Sequence, residues 1–285
     1  MYAFLFSETG LAPIAYQCIN LVLRYLLYII TLPDDHLVLC AFRECQALHA
    51  SGIPSWLGDI AVVINHIPYQ TPLFDPLGVT IDTVTTLIDD VEHSVTLHID
   101  TAIMASSKGD LLHDRLEHDE NGVLVHRAIG FRQYLHVVIP SHCKSLTQLL
   151  LSDHILADVV LRYPDRHRKF VPRHWRLCRF CKCYIETPCH ALFDCIASEE
   201  LVLLRMEFWV AILLIAPGLH GNFSHEHVLQ LMLRHESTAE MLAKYAHNVL
   251  HVYEGEDLYV VHHAAYEDDP VQDHVQRLPI LDKML

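Results

Sequence analysis

Apolar residues recur at helical spacing along most of the chain. The clearest case lies between residues 80 and 104, where Ile81, Val84, Ile88 and Val91 are three or four positions apart. Residues 127–138 fit either a helix or a strand, and we favour a helix. The expected fold class is mainly α, a bundle-like array of helices. The same spacing predicts further helices over residues 12–31, 33–48, 54–64, 144–151, 153–162, 198–215, 224–233 and 238–252, and a weaker one over 110–125.

Residues 11–32 are apolar enough to be compared with a membrane span, because Arg24 is their only charged residue. Their polar positions nevertheless form one stripe along a helix. A span that faces lipid needs no such stripe, so the pattern favours a buried helix with one wet face, and we expect no membrane partner. The polar positions are Gln17, Asn20, Arg24, Tyr28 and Thr31.

The charge is distributed unevenly along the chain. Its formal net charge is -15, yet residues 162–182 hold eight basic side chains and a single acid. This window is therefore +7, and the remainder of the chain is -22. An acidic protein is normally a poor partner for nucleic acid, but a local basic window is a candidate phosphate-binding surface.

Cysteine and histidine residues cluster immediately after this basic window. Cys178, Cys181, His190 and Cys195 have the spacing C-x2-C-x8-H-x4-C. Three thiolates and an imidazole can complete a tetrahedral Zn²⁺ shell, which leaves no open position for water or substrate. The pattern therefore predicts a structural zinc site. The odd total of nine cysteines and the absence of a cleavable signal sequence favour an intracellular, reducing compartment, either nucleus or cytoplasm.

Two neighbouring cysteines leave the ligand assignment open. Cys183 lies too close to Cys181 to replace it without a change of the turn, whereas Cys189 could substitute for His190. We favour His190, because the segment from His190 to Cys195 can wrap one helical turn. A gap of five residues overshoots an α-helical turn, so we expect Cys195 where the helix begins or ends.

The basic window also contains aromatic residues, which can stack on unpaired bases while Lys and Arg neutralise phosphates. The alternative is that the rings pack around the metal and the charges only face solvent. Zn²⁺ with three thiolates is itself -1, which favours nearby cations without any ligand. The candidate nucleic-acid residues are Arg166, Arg168, Lys169, Arg173, Trp175, Arg176, Arg179 and Lys182.

No catalytic motif accompanies these features. The chain has 23 histidines, but neither His225-Glu226-His227 nor His262-His263 has the spacing that places two rings on one helix face. It also lacks a phosphate-cradling glycine loop, a dinucleotide fingerprint and a nucleophile elbow. We therefore expect no small-molecule substrate.

The segment Trp175-Arg-Leu-Cys-Arg-Phe-Cys181, followed by Glu186 and His190-Ala-Leu-Phe-Asp-Cys195, resembles a known zinc-binding module. The module follows the polymerase core in non-LTR (LINE-type) reverse transcriptases, and fungal forms are the most similar. Short blocks at 7–10, 23–26, 32–37 and 149–154 extend the resemblance over about residues 5–205. It implies a helical, thumb-like region and a module that engages template RNA or target DNA, with the four Cys/His residues as ligands.

The resemblance does not extend to polymerase chemistry. That reaction requires carboxylates on a hairpin, usually within an aromatic-x-Asp-Asp sequence, to hold two metal ions. The Asp-Asp pairs here are Asp34-Asp35, Asp89-Asp90 and Asp268-Asp269, and none has a predicted strand–turn–strand setting. We therefore expect a non-catalytic segment detached from the polymerase core.

Four segments are predicted: a helical region over 1–160, the basic zinc module over 161–200, C-terminal helices over 201–253, and an acidic, loosely ordered tail over 254–285. The expected activity is contact with RNA or single-stranded DNA through residues 162–184. The alternatives are a zinc-stapled module for a protein partner, supported by the apolar face of residues 201–215, and a gene relic without a selected role.

Overall fold

The computed structural model divides the chain into two compact units, Met1–Arg132 and Gln133–Leu285. Both units are mainly helical, so the predicted fold class is confirmed. The boundary lies inside the segment 1–160 that was predicted as one region, because residues 140–150 pack against a helix near the C-terminus. The structure describes residues 2–67, 74–113, 115–118, 121–164, 166, 168–219 and 223–266.

The first unit contains five α-helices, a 3-10 turn at Asp110–Leu112 and a short hairpin within its described residues, so the weaker helix predicted over 110–125 does not form. The helices α2 and α5 form its centre, and α1 packs against α5. The strands β1 and β2 are antiparallel, with Glu117 opposite Val125. The elements are α1 (Tyr2–Thr9), α2 (Ile14–Ile30), α3 (Leu37–Ala50), α4 (Trp56–Asn65), α5 (Ile81–Met104), β1 (Leu116–His118) and β2 (Leu124–His126).

The helix α5 begins within one residue of the start that its sequence pattern predicts and buries most of the predicted apolar face. Thr80 forms a reciprocal capping box with Thr83, which satisfies backbone N–H groups at the helix start. Val84 and Val91 on its apolar face are buried, whereas Ile81 at the helix start is 51% exposed. The polar stripe of α2 contacts α5 at Glu92, where the side-chain amide of Asn20 donates to the carboxylate at 3.4 Å.

Among the described helices, none is by itself long and apolar enough to cross a membrane. The pair α1 and α2 meets that length and composition only when the two are taken together, and they are bent by 55° where they meet.

A buried ion network fixes the end of the first unit. Arg115 donates to both carboxylate oxygens of Glu8 at 2.9 and 3.1 Å, and Arg132 donates to Glu117 at 2.6 Å. Arg132 also donates to the carbonyl of Arg127 at 2.7 Å, which holds residues 127–132 as a loop. The predicted helix over 127–138 is therefore wrong, and only a 3-10 turn forms, at Gln133–His136.

A glycine permits the chain to close beside this network. Gly10 has φ +72°, and a Cβ there would lie 2.8 Å from the backbone nitrogen of Phe131. The neighbouring residue Thr9 forms an isolated β-bridge with Phe131. The close approach of two backbones therefore requires a residue without a side chain.

The second unit is organised around a long helix, α10. The helices α6 and α8 both pack against it, and nine of its residues are buried. Of the helix predicted over 153–162, only one turn forms, and this turn is α7. The elements are α6 (Pro140–Leu150), α7 (Ala157–Val160), α8 (Glu199–Ile215), α9 (His225–Met232) and α10 (Glu236–Glu254).

The predicted loose tail is ordered over its first residues. Leu258 and Tyr266 pack against a buried cluster formed by Ala157, Leu161 and Val171. Leu258 and Tyr266 therefore cover part of the second unit. The rest of the predicted tail, residues 267–285 with Asp268-Asp269, lies outside the described residues.

Candidate metal centre

The first two candidate ligands lie on a tight backbone turn. Leu177 forms a β-bridge with Ile185, and the N–H of Cys178 donates to the carbonyl of Tyr184 at 2.8 Å. Lys182, with φ +56°, adopts a left-handed conformation and donates its backbone N–H to the carbonyl of Cys178 at 2.8 Å. This reversal places the thiols of Cys178 and Cys181 on the same side.

The other two ligands lie on a π-helical turn. Thr187 accepts a hydrogen bond from the N–H of His190 at 3.1 Å, which fixes the start of the turn. The N–H of Cys195 donates to the carbonyl of His190 at 2.9 Å, an i to i+5 bond. The wider turn accommodates the five-residue gap, and Cys195 lies immediately after the turn His190–Asp194.

The four predicted ligands converge on one point. The sulfurs of Cys178 and Cys195 are 3.7 Å apart, and the sulfur of Cys181 is 3.4 Å from Nε2 of His190. All four donor atoms lie within 4.8 Å of one another. No disulfide links the described cysteines. This Cys3His group could hold a metal ion, and among the described residues it is the only such group.

The neighbouring cysteines lie outside this group. Cys183 is exposed to solvent. Cys189 is buried, and burial together with the charge of Glu226 raises its pKa to about 12. Its sulfur is not among the four converging donor atoms. The preference for His190 over Cys189 therefore agrees with the structure.

The buried thiols of Cys178 and Cys195 form a hydrogen-bonded pair. The hydrogen bond from Cys178 lowers the pKa of Cys195, while that pairing, followed by burial, raises the pKa of Cys178. The hydroxyl of Tyr253 lies 3.6 Å from the Cys178 sulfur, and burial raises the pKa of this phenol. Tyr253 therefore keeps its proton and can donate to a thiolate ligand.

A buried ion pair between Arg179 and Glu186 stabilises the turn that carries Cys178 and Cys181. Glu186 is fully buried and accepts from the N–H of Arg179 at 2.7 Å and from the Arg179 Nη2 at 2.8 Å. The other donors of Arg179 reach the carbonyls of Ile155, Tyr253 and Glu256. All five guanidinium N–H groups are thus engaged, and three separate segments meet at one side chain.

The π-helical turn is also attached to the surrounding helices. Arg205 on α8 donates to the carbonyls of Leu192 at 2.9 Å and Cys195 at 2.7 Å. Tyr245 on α10 donates its hydroxyl to the same Leu192 carbonyl. These bonds satisfy carbonyls that the turn leaves without partners, and they fix Cys195 against the helical framework.

Two of the predicted nucleic-acid residues are instead structural, which corrects the sequence analysis. Arg179 is engaged as described above. Arg176 is 3% exposed and donates to the carbonyls of Val171 at 2.9 Å and Asp158 at 3.0 Å. The carboxylates of Asp158 and Glu186 compensate the two charges, so neither arginine is placed to meet a phosphate. The sequence shows the charges but not these partners.

The remaining predicted residues differ in exposure. Trp175 is half-buried and packs near Tyr266, with ring centroids 6.1 Å apart. Arg168 is half-buried and donates to the carbonyl of Val160 at 2.9 Å. Arg173 is exposed but pairs with Asp158. The residues on the surface are Arg166, Lys169, Arg173 and Lys182.

Comparison with known proteins adds no family assignment. No protein-family model matches the chain, and neither a curated protein nor a solved structure is similar to it.

Proposed function

We propose that Cys178, Cys181, His190 and Cys195 hold a structural zinc ion. Tetrahedral zinc with its usual bond lengths separates two sulfurs by about 3.8 Å and a sulfur from a nitrogen by about 3.6 Å. The Cys178–Cys195 distance of 3.7 Å and the Cys181–His190 distance of 3.4 Å agree with both values. Four protein ligands leave no position for a substrate, which supports a structural role.

Metal content tests this proposal, and the chain supplies a matched control. We expect the double variant Cys178→Ser, Cys181→Ser to purify without stoichiometric zinc. Cys183→Ser changes an exposed thiol two residues from Cys181 and should retain one zinc per chain. Inductively coupled plasma mass spectrometry measures both. Full zinc content in the double variant would contradict the assignment.

The surface that this ion supports is the candidate for nucleic-acid contact. Lys182 and Tyr184 are exposed on the turn between the two halves of the site, and Tyr184 is 68% exposed. The ammonium of Lys182 lies over the ring of Tyr259, 5.1 Å from its centroid. An exposed ring can stack on an unpaired base, and an exposed cation can neutralise a phosphate. Arg166 and Lys169 add exposed positive charge from the preceding segment. We infer that RNA or single-stranded DNA binds here.

This inference rests on the exposed pair Lys182 and Tyr184, and the resemblance to non-LTR reverse transcriptases supports it. Descent from such an element, without polymerase activity, remains part of the proposal. Two Asp-Asp pairs of this chain lie in helical surroundings and not on a hairpin: Asp34-Asp35 precedes α3, and Asp89-Asp90 lies on α5.

Salt dependence distinguishes specific phosphate contacts from the general behaviour of an acidic protein. We expect single-stranded RNA to bind the wild-type chain, with an affinity that falls steeply as salt rises. Replacing Arg166, Lys169 and Lys182 with Gln should reduce the log–log salt slope by about 2, since each single-strand phosphate contact contributes about 0.7. Fluorescence anisotropy measures both quantities.

The control variant makes the same change of net charge elsewhere. Arg24, Arg43 and Lys244 are exposed and lie outside the basic window. Replacing all three with Gln should leave the affinity and the salt slope close to the wild-type values. No RNA binding at low salt, or equal losses in the two triple variants, would contradict the proposal.

A further inference from the structure

The helix α8 exposes a continuous apolar stripe. Leu203, Met206, Val210 and Leu214 are three or four residues apart, and each is at least 59% exposed. The stripe covers three turns, about 16 Å along the helix axis. Single exposed apolar residues are ordinary, but an aligned stripe of this length is typical of a surface that binds a partner.

The opposite face of α8 already has its packing partner. Leu201, Phe208 and Ile212 are buried, and α8 packs against α10. The ring of Phe208 stacks on Tyr245 of α10 with centroids 4.2 Å apart. The stripe is therefore not needed for the core of the second unit, and it remains accessible after that core has formed.

Carboxylates border the stripe and define the chemistry of its partner. Glu200 and Glu207 are seven residues apart, and each precedes an exposed apolar residue by three positions, so both lie along one edge. Glu199 is also exposed at the start of the helix. The one basic residue on α8, Arg205, is engaged with backbone carbonyls. An apolar centre with an acidic edge complements an amphipathic helix that carries Lys or Arg beside its apolar face.

The same charges argue against a second copy of this chain. A symmetric pair of α8 helices would bring Glu200 and Glu207 beside the identical carboxylates of the partner, which is unfavourable at close range. The whole chain has a net charge of -15, which adds repulsion between copies.

We propose that α8 docks a basic amphipathic helix of a partner protein through Leu203, Met206, Val210 and Leu214. This surface is distinct from the exposed turn proposed for nucleic acid. Its test is therefore independent of zinc content and of RNA binding.

Two designed peptides test the apolar and the charged parts separately. Both have 17 residues with Leu at the a and d heptad positions, and the e and g positions are Lys in one and Glu in the other. We expect the full-length protein to bind the Lys peptide at least about tenfold more tightly than the Glu peptide, as measured by fluorescence anisotropy. Equal affinities for the two peptides would overturn the proposal.

Substitutions on the protein locate the binding surface. Val210→Asp should weaken Lys-peptide binding by at least about tenfold, because a carboxylate then lies within the apolar contact. The double variant Glu200→Gln, Glu207→Gln should weaken it severalfold at low salt. Val62→Asp adds the same charge at a 57% exposed position on α4 and should leave the affinity unchanged.

The added charge also separates docking from nonspecific attraction. If the Lys peptide bound only to the acidic protein as a whole, Val210→Asp would strengthen binding, and that result would refute the proposal. Circular dichroism and zinc content must be the same in each variant, so that a loss of binding is not a loss of fold.

A dimer that Val210→Asp dissociates in sedimentation would assign the stripe to a second copy instead. Binding to phosphatidylcholine vesicles that the same substitution abolishes would assign it to lipid, and either result would overturn the proposal.

Discussion

The substitution Glu186→Gln tests whether the buried ion pair determines the stability of the second unit. Glu186 is fully buried and contacts Arg179 through both carboxylate oxygens, at 2.8 to 3.2 Å. Gln has nearly the same shape, but it removes the negative charge and turns an NH2 group toward one of the donors. Arg179, whose side chain is 4% exposed, would then be buried without this counter-ion.

The expected loss is about 3–5 kcal/mol of unfolding free energy, the usual cost of removing one partner from a buried pair. It exceeds the cost of one neutral hydrogen bond, about 1 kcal/mol, because the remaining charge is desolvated. A single domain has only about 5–15 kcal/mol in total, so the variant should be close to its stability limit at 25 °C.

Urea unfolding monitored by tryptophan fluorescence can measure this loss of stability in the second unit of the chain alone. Trp175 and Trp209 lie in the second unit and Trp56 in the first. A Trp56→Phe background therefore restricts the signal to the second unit. The background and the Glu186→Gln variant are compared at the same zinc concentration, because bound zinc adds to the apparent stability.

The control is Glu254→Gln, which removes a carboxylate that is 72% exposed and paired with His251 at 3.5 Å. An exposed pair contributes at most about 1 kcal/mol, so this variant should remain near wild-type stability. A loss below about 1 kcal/mol for Glu186→Gln, or equal losses for the two variants, would refute the reasoning.

Three further predictions concern the fold and the site. Gly10→Ala should cost at least about 2 kcal/mol more than Gly52→Ala in urea unfolding, because both glycines have positive φ but only Gly10 would meet another backbone, at 2.8 Å. Equal losses would refute this reading. Burial lowers the pKa of His154 to about 4. The neutral ring therefore makes its full contribution to the free energy of unfolding above pH 6.5, and about 3 kcal/mol of that free energy is lost as the pH falls toward 4. His154→Asn should flatten that part of the stability–pH curve, and an unchanged slope would contradict it. Tyr253→Phe should weaken zinc binding about tenfold in competition with a chromophoric chelator, because it removes a hydroxyl 3.6 Å from a ligand sulfur, while unchanged affinity would exclude such a role.

The sequence predicted those features that depend on local spacing. The helices α5 and α8 begin at Ile81 and Glu199, each one residue after the start that its pattern predicted. The four proposed ligands come from two half-sites, a two-residue turn and a one-turn segment, and each half-site brings its own pair together. Such short-range geometry follows from neighbouring residues alone.

Features that depend on distant partners were not predictable in the same way. Arg176 looks like any exposed cation until the fold places Asp158 beside it, and Arg179 does so until the carbonyls of Tyr253 and Glu256 reach it from the C-terminal part of the chain. The loop over residues 127–132 depends on Arg132, whose ion partners Glu8 and Glu117 are far away in the sequence. A periodicity argument considers one segment at a time, so it cannot detect a charge pair formed between segments.

The unequal burial of the four proposed ligands has a consequence for exchange of the proposed zinc ion. Cys178 and Cys195 are almost inaccessible and His190 is 7% exposed, whereas Cys181 is partly open to solvent. An incoming chelator would therefore meet the sulfur of Cys181 first and could reach the others only after the turn lifts away from α10. Extraction would be directional, beginning at one corner of the tetrahedron. Its rate would report how often this part of the protein opens under native conditions.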